Sequence, residues 1–322
     1  MTEPGQTIPT VDDIRAAAKR IAPFVHRTPV LRCHGIDELA GGSLFFKCEM
    51  FQKVGAFKMR GASNAVAQLA PDVRARGVAT HSSGNHGAAL ALAARNFGTR
   101  AFVVMPENAS AVKKRAVAAY GAEISYCSPS IESRDRVLSE VVARTGAAVI
   151  HPYNDDRIIA GQGTAALELI ADCNDLDVVM TPVGGGGLIS GTAIAVKALL
   201  PRAQIIGVEP EEVNDAQQAL RSGTIMPATN RRSIADGLLA PLGDRTFSVI
   251  RKHVDDIVTV SEPAIVEAMR LIWERMKIVV EPSAAVPLAA LLSGKLELHG
   301  RRAGIILSGG NVDLDALPWA RA

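Results

Sequence analysis

The chain has 322 residues, with 35 lysines and arginines against 33 aspartates and glutamates and a net charge of +2. This near-balance argues against a nucleic-acid footprint, and aromatic residues, at 4%, are too few for a stacking platform. The length suffices for two domains or for one large α/β domain with a substantial core.

Alanine, glycine, valine and leucine dominate, the composition of a sheet layered with helices. No segment approaches the roughly 18 uninterrupted apolar residues of a membrane span. The polar, acidic start MTEPGQTIPTVDD lacks the basic residues and apolar run of a signal peptide. Cys33, Cys48, Cys127 and Cys173 lie far apart without a CxxC pair. They suit reduced thiols in a cytoplasmic protein and argue against a zinc site.

Residues 10–21 are predicted helix, with Thr10 as N-cap and Asp12 and Asp13 in the first turn. Strands are expected at 27–31 and 44–49. A helix follows over about 58–69, on the spacing of Met59, Ala62, Ala65, Val66 and Leu69. Lys58 opens that helix behind Gly55, Ala56 and Phe57. A lysine desolvated near a helix's positive end loses basicity and becomes an amine nucleophile. Lys53 and Arg60 close by keep the other reading open, a solvated lysine whose stem lies along the surface.

A short strand at 78–80 leads to HSSGNHG, where Ser82, Ser83, Gly84, Asn85 and Gly87 make a small-polar turn into an alanine-rich helix. Free N–H groups and short polar side chains at such a helix start suit a carboxylate. His86 in this turn reads as a packing or hydrogen-bonding residue ahead of a catalytic one. Strands at 100–105, 123–127 and 147–151 alternate with helices at 110–120 and 134–145. That rhythm predicts a compact, largely parallel unit from about 76 to 153.

After a helix predicted at 161–171, the strand 177–180 runs into TPVGGGGLISG and an apolar helix over 188–200. Strand, bare turn and helix N-terminus form an anion cradle, because successive N–H groups and the helix dipole converge. Four consecutive glycines favour a phosphate there over an αβ corner that merely needs positive φ. Neither GxxxxGK[ST] nor a GxGxxG opening a first βαβ unit is present. A phosphate-bearing cofactor other than a dinucleotide is therefore expected.

The next strand, 204–208, ends at Glu209 in EPEEVND, where Glu211, Glu212 and Asp215 follow. Such oxygen donors suit Mg2+ or Ca2+; a solvated acidic loop is the alternative. Residues 224–244 are expected as loop, with 234–237 facing the site, followed by a strand at 256–260 and helices at 262–276 and 283–292. The strand at 304–307 ends in SGGN, a small-polar turn at a strand end, where open α/β sheets place ligands.

In chain order, KVGAFKMRGA, SSGNHG, AGQGT, PVGGGGLISG, ADG and SGGNVD resemble the motifs of the fold-type II pyridoxal-phosphate enzymes. The likeness is nearest to the branch of serine/threonine dehydratases, serine racemases and hydroxyaspartate dehydratases, and it spans about residues 8–314. It implies an α/β fold of the tryptophan synthase β type, two open-sheet domains with pyridoxal phosphate in the cleft between them. The larger, cofactor-binding domain would comprise 1–75 and 154–322, and the smaller, mobile α/β domain 76–153. A homodimer acting on a small amino acid, in the cytoplasm and away from membranes and nucleic acids, is implied as well.

The same resemblance makes Lys58 the Schiff-base lysine and Phe57 a residue packed against the cofactor ring, with Gly237 on the opposite face. Asn85 matches the asparagine bonded to the cofactor's phenolic oxygen, and Ser308 the serine facing its pyridine nitrogen. Gly184, Gly185, Gly186, Gly187 and Leu188 match the phosphate loop. Ser82, Ser83, Asn85 and His86 fall in the loop that holds the substrate carboxylate. Ser83 stands where racemase-like members carry a second acid/base serine, which makes it a catalytic candidate beside Lys58. Arg134 resembles an arginine at the active-site mouth and is a candidate for a second substrate carboxylate; Arg157 is another. Glu209, the carbonyl of Val213, and Asp215 match a structural divalent-cation site for Mg2+, or for Mn2+ or Ca2+.

The implied reaction is dehydration and deamination of a small β-hydroxy amino acid, such as L-threonine or L-serine, to a 2-oxo acid and ammonia. Dehydration of 3-hydroxyaspartate to oxaloacetate and racemisation of serine are the alternatives. A serine instead of an aspartate at the pyridine nitrogen makes a weaker electron sink and favours rapid elimination. HPYNDDRIIAGQGT departs from the racemase-like HPNQxP pattern, which weighs against racemisation and nucleotide activation. Eight residues follow Leu314, so the regulatory C-terminal domain of biosynthetic threonine dehydratases, with its isoleucine feedback, is not expected. A β-replacement enzyme would carry a different substrate loop, and the retained Lys58 disfavours a non-catalytic binding module.

Overall fold

The computed structural model describes residues 8–82, 84–227 and 232–320. Ser83 lies outside them. The described strands are, in chain order, β1 (Val30–Leu31), β2 (Ser43–Cys48), β3 (Val78–His81), β4 (Ala101–Pro106), β5 (Glu123–Cys127), β6 (Ala148–Val149), β7 (Val178–Pro182), β8 (Gln204–Pro210), β9 (Asp256–Val260) and β10 (Arg302–Leu307). One sheet has the order β1-β2-β10-β7-β8-β9 and the other β5-β4-β3-β6. Every pairing among these strands is parallel except that of β1 with β2. This is the two-sheet α/β architecture expected of a fold-type II enzyme.

The helices are α1 (Val11–Ile21), α2 (His34–Ala40), α3 (Lys58–Ala67), α4 (Pro71–Ala75), α5 (Asn85–Asn96), α6 (Ala111–Ala119), α7 (Ile131–Thr145), α8 (Asp156–Asp172), α9 (Gly187–Leu199), α10 (Asp215–Ser222), α11 (Asp244–His253), α12 (Glu262–Met276) and α13 (Pro282–Leu292). They cover both faces of the larger sheet. Successive residues of β7 accordingly enter opposite cores, Val179 on one side and Val178 and Met180 on the other. Among the described residues no helix is long and apolar enough to cross a membrane.

Several elements depart from the sequence reading for local reasons. The strand expected at 27–31 shrinks to Val30–Leu31, because Pro29 has no N–H for a ladder and the segment sits at the sheet edge. The helix expected at 161 begins at Asp156, where the side chain of Asp155 accepts from Arg157 N and caps it. The short helices α2, α4 and α10 carry too few turns for periodicity to show. At α11, the expected loop ends and a helix follows directly.

Three helices position the site. A Cβ placed on Gly161 of α8 would lie 2.6 Å from Gly61 Cα of α3, and one on Gly191 of α9 would lie 2.4 Å from Gly163 N of α8. Backbone therefore rests on backbone at both crossings, which only glycine permits. Through α8, the first turn of α3, with Lys58, is held in register with the glycine turn that opens α9.

Candidate active site

Lys58 stands at the end of a strap tied to the turn that follows β10. Phe57 N donates to Ser308 O (3.0 Å), Gly310 N donates to Gly55 O (2.9 Å), and Ala56 bridges Gly309. The Lys58 amine donates to the carbonyl of Pro152 (3.0 Å). Burial lowers its pKa to about 8, with Glu281 opposing the shift. The amine is bonded within the chain instead of reaching into solvent, and a lowered pKa is what an amine nucleophile requires.

The adjacent residue Tyr153 lies against the glycine turn. A Cβ on Gly185 would come within 2.3 Å of the Tyr153 ring, and one on Gly184 within 2.9 Å of Leu238 Cα. Gly186 adopts φ +87, and the Thr246 hydroxyl donates to Gly185 O (2.9 Å), holding the turn open. No side chain caps the N-terminus of α9, so its first-turn N–H groups, at Gly187 and Leu188, are free to meet an anion. Pro152 and Tyr153 thus touch the amine and the cradle in turn and place both in one site. This arrangement fits a cofactor that carries both a phosphate and an amine-reactive carbonyl.

The turn after β3 supplies polar groups. The Ser82 hydroxyl accepts from Gly84 N (3.2 Å) and Gly87 N (3.0 Å), leaving its O–H to give away. Asn85 donates to the carboxylate of Glu281 (2.9 and 3.2 Å) and accepts from Asn311 (3.0 Å). Burial raises the Glu281 pKa to about 7, although Lys113 pulls it down. From α6, Lys113 pairs with Asp236 beside Gly237, and Gly237 N donates to Ser283 Oγ (3.1 Å). Ser308 is buried at the end of β10. His86, also buried, is held neutral by burial and by the charge of Lys58, in keeping with a packing role.

A wall of rings runs from the smaller sheet to the cradle. His81 meets His151 edge-on at 5.8 Å, and His151 meets Tyr153 edge-on at 4.6 Å. Burial and then His81 lower the His151 pKa to about 4, and its Nδ1 accepts from Asn154 N (2.9 Å). Arg134, half-buried on α7, lies near enough to His81 to depress its pKa after burial has done so. Its Nε has no hydrogen-bond partner among the described residues. Arg157, the other candidate, folds back onto Asp155 (2.6 Å).

The acidic turn divides in two. Glu211 and Glu212 are exposed, whereas Glu209 and Asp215 are buried at 1% and 4% exposure, so the solvated-loop reading fails for the latter pair. Glu209 accepts from Ala216 N (3.2 Å) and Gln217 N (2.8 Å) and thereby caps α10. Burial, with Asp215 adding to it, raises its pKa to about 8. Val213 closes the 3-10 turn between them. Among the described residues no group of three or more His, Cys, Asp or Glu side chains is placed to hold a metal; the expected set has two carboxylates and a carbonyl.

Sequence reasoning misses Glu281, Lys113, His81, His151 and Tyr153, whereas Asn311 closes the SGGN turn it singles out. For Glu281 the local signal is a glutamate directly after the apolar run IVV. The rings lie at strand ends whose proximity only the fold creates.

The chain belongs to the family described as pyridoxal-phosphate dependent enzymes, whose model matches residues 21–309. It is a pyridoxal-phosphate enzyme of the fold-type II dehydratase and lyase class. It is 49% identical to the beta-hydroxyaspartate dehydratase of Paracoccus denitrificans (strain Pd 1222), across 97% of this chain and 99% of that one. Among solved structures it resembles maize serine racemase (TM-score 0.94, 47% identity, 98% and 97% covered). The serine racemase of Dictyostelium discoideum is similar too (TM-score 0.90, 45% identity, 95% and 99% covered).

Proposed function

We propose that this enzyme converts a small β-hydroxy amino acid, such as L-threonine or L-serine, to a 2-oxo acid and ammonia, the water lost from the β-carbon being regained when the resulting enamine hydrolyses. The supporting observation is the partly neutral Lys58 amine joined, through Pro152 and Tyr153, to the uncapped glycine turn. When bound, pyridoxal phosphate supplies a ring that accepts negative charge from the substrate α-carbon. The backbone of Gly184, Gly185, Gly186, Gly187 and Leu188 would hold its phosphate. Asn85 and Ser308 would meet the ring's oxygen and nitrogen, with Phe57 and Gly237 against its two faces.

Ser82, with the backbone N–H of Asn85 at the start of α5, would give hydrogen bonds to the substrate carboxylate and fix the α-carbon near Lys58. The Lys58 amine takes the α-proton, a task suited to a base titrating near the working pH. The β-hydroxyl departs as water with a proton given back by the Lys58 ammonium or by the phosphate held at the glycine turn, and the released enamine tautomerises and is hydrolysed to the 2-oxo acid and ammonia in solution. We read residues 76–153 as the smaller unit that closes over this cleft. Ser83, the candidate for a second acid/base, lies outside the described residues.

One observation favours 3-hydroxyaspartate as a second reading. The half-buried guanidinium of Arg134, with Nε unpartnered among the described residues, is suited to a β-carboxylate. Release of 2-oxo acid from L-serine, L-threonine, D-serine and both L-3-hydroxyaspartate diastereomers decides between them. If the β-carboxylate is recognised, Arg134→Gln lowers kcat/KM for one hydroxyaspartate isomer by about 10- to 100-fold. L-serine turnover then changes less than about twofold. Equal losses on both substrates would remove Arg134 from specificity.

Glu209, the Val213 carbonyl and Asp215 would hold Mg2+, Mn2+ or Ca2+ in a bracing role, since two buried carboxyl groups that interact electrostatically, with a carbonyl between them in the chain, offer hard oxygen donors. Mg2+ should raise the melting temperature of the wild type by several degrees, as any ligand of the folded state does. Glu209→Gln keeps a cap acceptor for α10 and should lose that increment. An unchanged Mg2+ response in the variant would discard the site.

A further inference from the structure

The carboxamide of Asn85 is held in one orientation by a chain of hydrogen bonds whose direction is fixed at its Val54 end. At one end is the carbonyl of Val54, which can only accept; Asn311 Nδ2 donates to it at 2.7 Å. The same Nδ2 donates its other hydrogen to Asn85 Oδ1 at 3.0 Å. At the other end Asn85 Nδ2 donates to the Glu281 carboxyl at 2.9 and 3.2 Å. Turning the Asn85 amide over would set its NH2 against the NH2 of Asn311.

The Val54 end is itself unusual. Val54 sits at φ +60, a left-handed conformation that costs a β-branched residue energy and persists only where its surroundings enforce it. Gly55 follows at φ +68, and a Cβ there would lie 2.7 Å from Asn311 Oδ1. Both atoms of the Asn311 carboxamide are therefore seated on the strap that leads to Lys58. One side chain joins the Lys58 strap, the turn after β3 and the turn after β10.

The geometry points to Asn311 as a positioning residue for Asn85: it fixes the Asn85 carboxamide so that its NH2 edge faces an acceptor in the cleft. This inference rests on the reading of Asn85 as the group that meets the cofactor's ring oxygen. It adds that the donor character of Asn85 is imposed by Asn311.

The test is a double-mutant cycle on cofactor affinity and on the visible absorption of the bound cofactor, using Asn85→Ala, Asn311→Ala and both together in the full-length holoenzyme. Asn311→Asp, which keeps the volume but loses the donor, serves if the alanine variant does not fold. Each single change should weaken cofactor retention about tenfold and shift the absorption maximum the same way. Together they should be no weaker than Asn85→Ala within about twofold, because Asn311 acts through a group already removed. Losses that multiply, or an Asn311 variant with unchanged affinity and spectrum, would overturn the proposal while leaving the role of Asn85 intact. No effect of Asn85→Ala would remove the underlying reading, and the proposal with it.

Discussion

Lys58→Ala is expected to abolish the visible absorption of the lysine-bound cofactor and to lower turnover by at least about 10^3-fold. The folded chain should survive the change. In the cofactor-free protein the folded pKa of Lys58, about 8, lies below its ordinary value of 10.5. Between these values the unfolded chain binds the extra proton, so this group's contribution to stability rises with pH across that window. Below pH 8 both states are protonated and the cost of burying the charge is fully present. The cofactor-free alanine variant should therefore melt no lower than wild type at neutral pH, and its relative advantage should shrink toward pH 10.5. Absorption spectra and thermal melts of stripped and reloaded protein test both halves. Covalently retained cofactor in the variant would refute the assignment of Lys58.

Arg60→Ala is expected to cost about 3–5 kcal/mol, the usual result of stripping a buried ion network of its central charge. Arg60 is fully buried two residues beyond Lys58, and its guanidinium engages two carboxylates. Its Nε and Nη2 meet Glu49 at 2.7 and 2.8 Å, and its Nη1 and Nη2 meet Glu168 at 2.7 and 2.8 Å. Lys47 adds a bond of 2.6 Å to Glu168, and Thr28 one of 2.6 Å to Glu49. Without Arg60, Glu49 is left buried with only hydroxyl support, on the strand end that the first turn of α3 packs against. Arg60→Lys keeps the charge but not the fork, and should recover only part of the loss. Urea unfolding measures both. A loss under about 1 kcal/mol for the alanine variant would mean that the network relaxes around the gap.

Arg60 also shows where sequence reading reaches its limit. In the sequence it is a polar neighbour that makes a solvated Lys58 plausible. Its neutralising partners come from the end of β2 and from α8, 11 and 108 residues away in the chain, and no spacing rule joins them. Glu281 is a similar case, paired with Asn85 across 196 residues. The glycine turn is legible because strand, bare turn and helix are contiguous and all the chemistry is local. Thr10 is legible for the same reason: the predicted cap accepts from Asp13 N and is answered by the Asp13 carboxylate. What stays hidden is the meeting of strand ends, His81 with His151 and Tyr153, which depends on the order β4-β3-β6 rather than on any stretch of residues.

The glycine crossings of α3, α8 and α9 bear on how such a scaffold can diversify. Where backbone lies on backbone, no side chain remains to be exchanged, so mutation has no gradual means of altering the spacing between the amine and the anion cradle. The residues around the strand ends of the smaller sheet, such as His81 and His151, carry side chains that can be exchanged without touching those crossings.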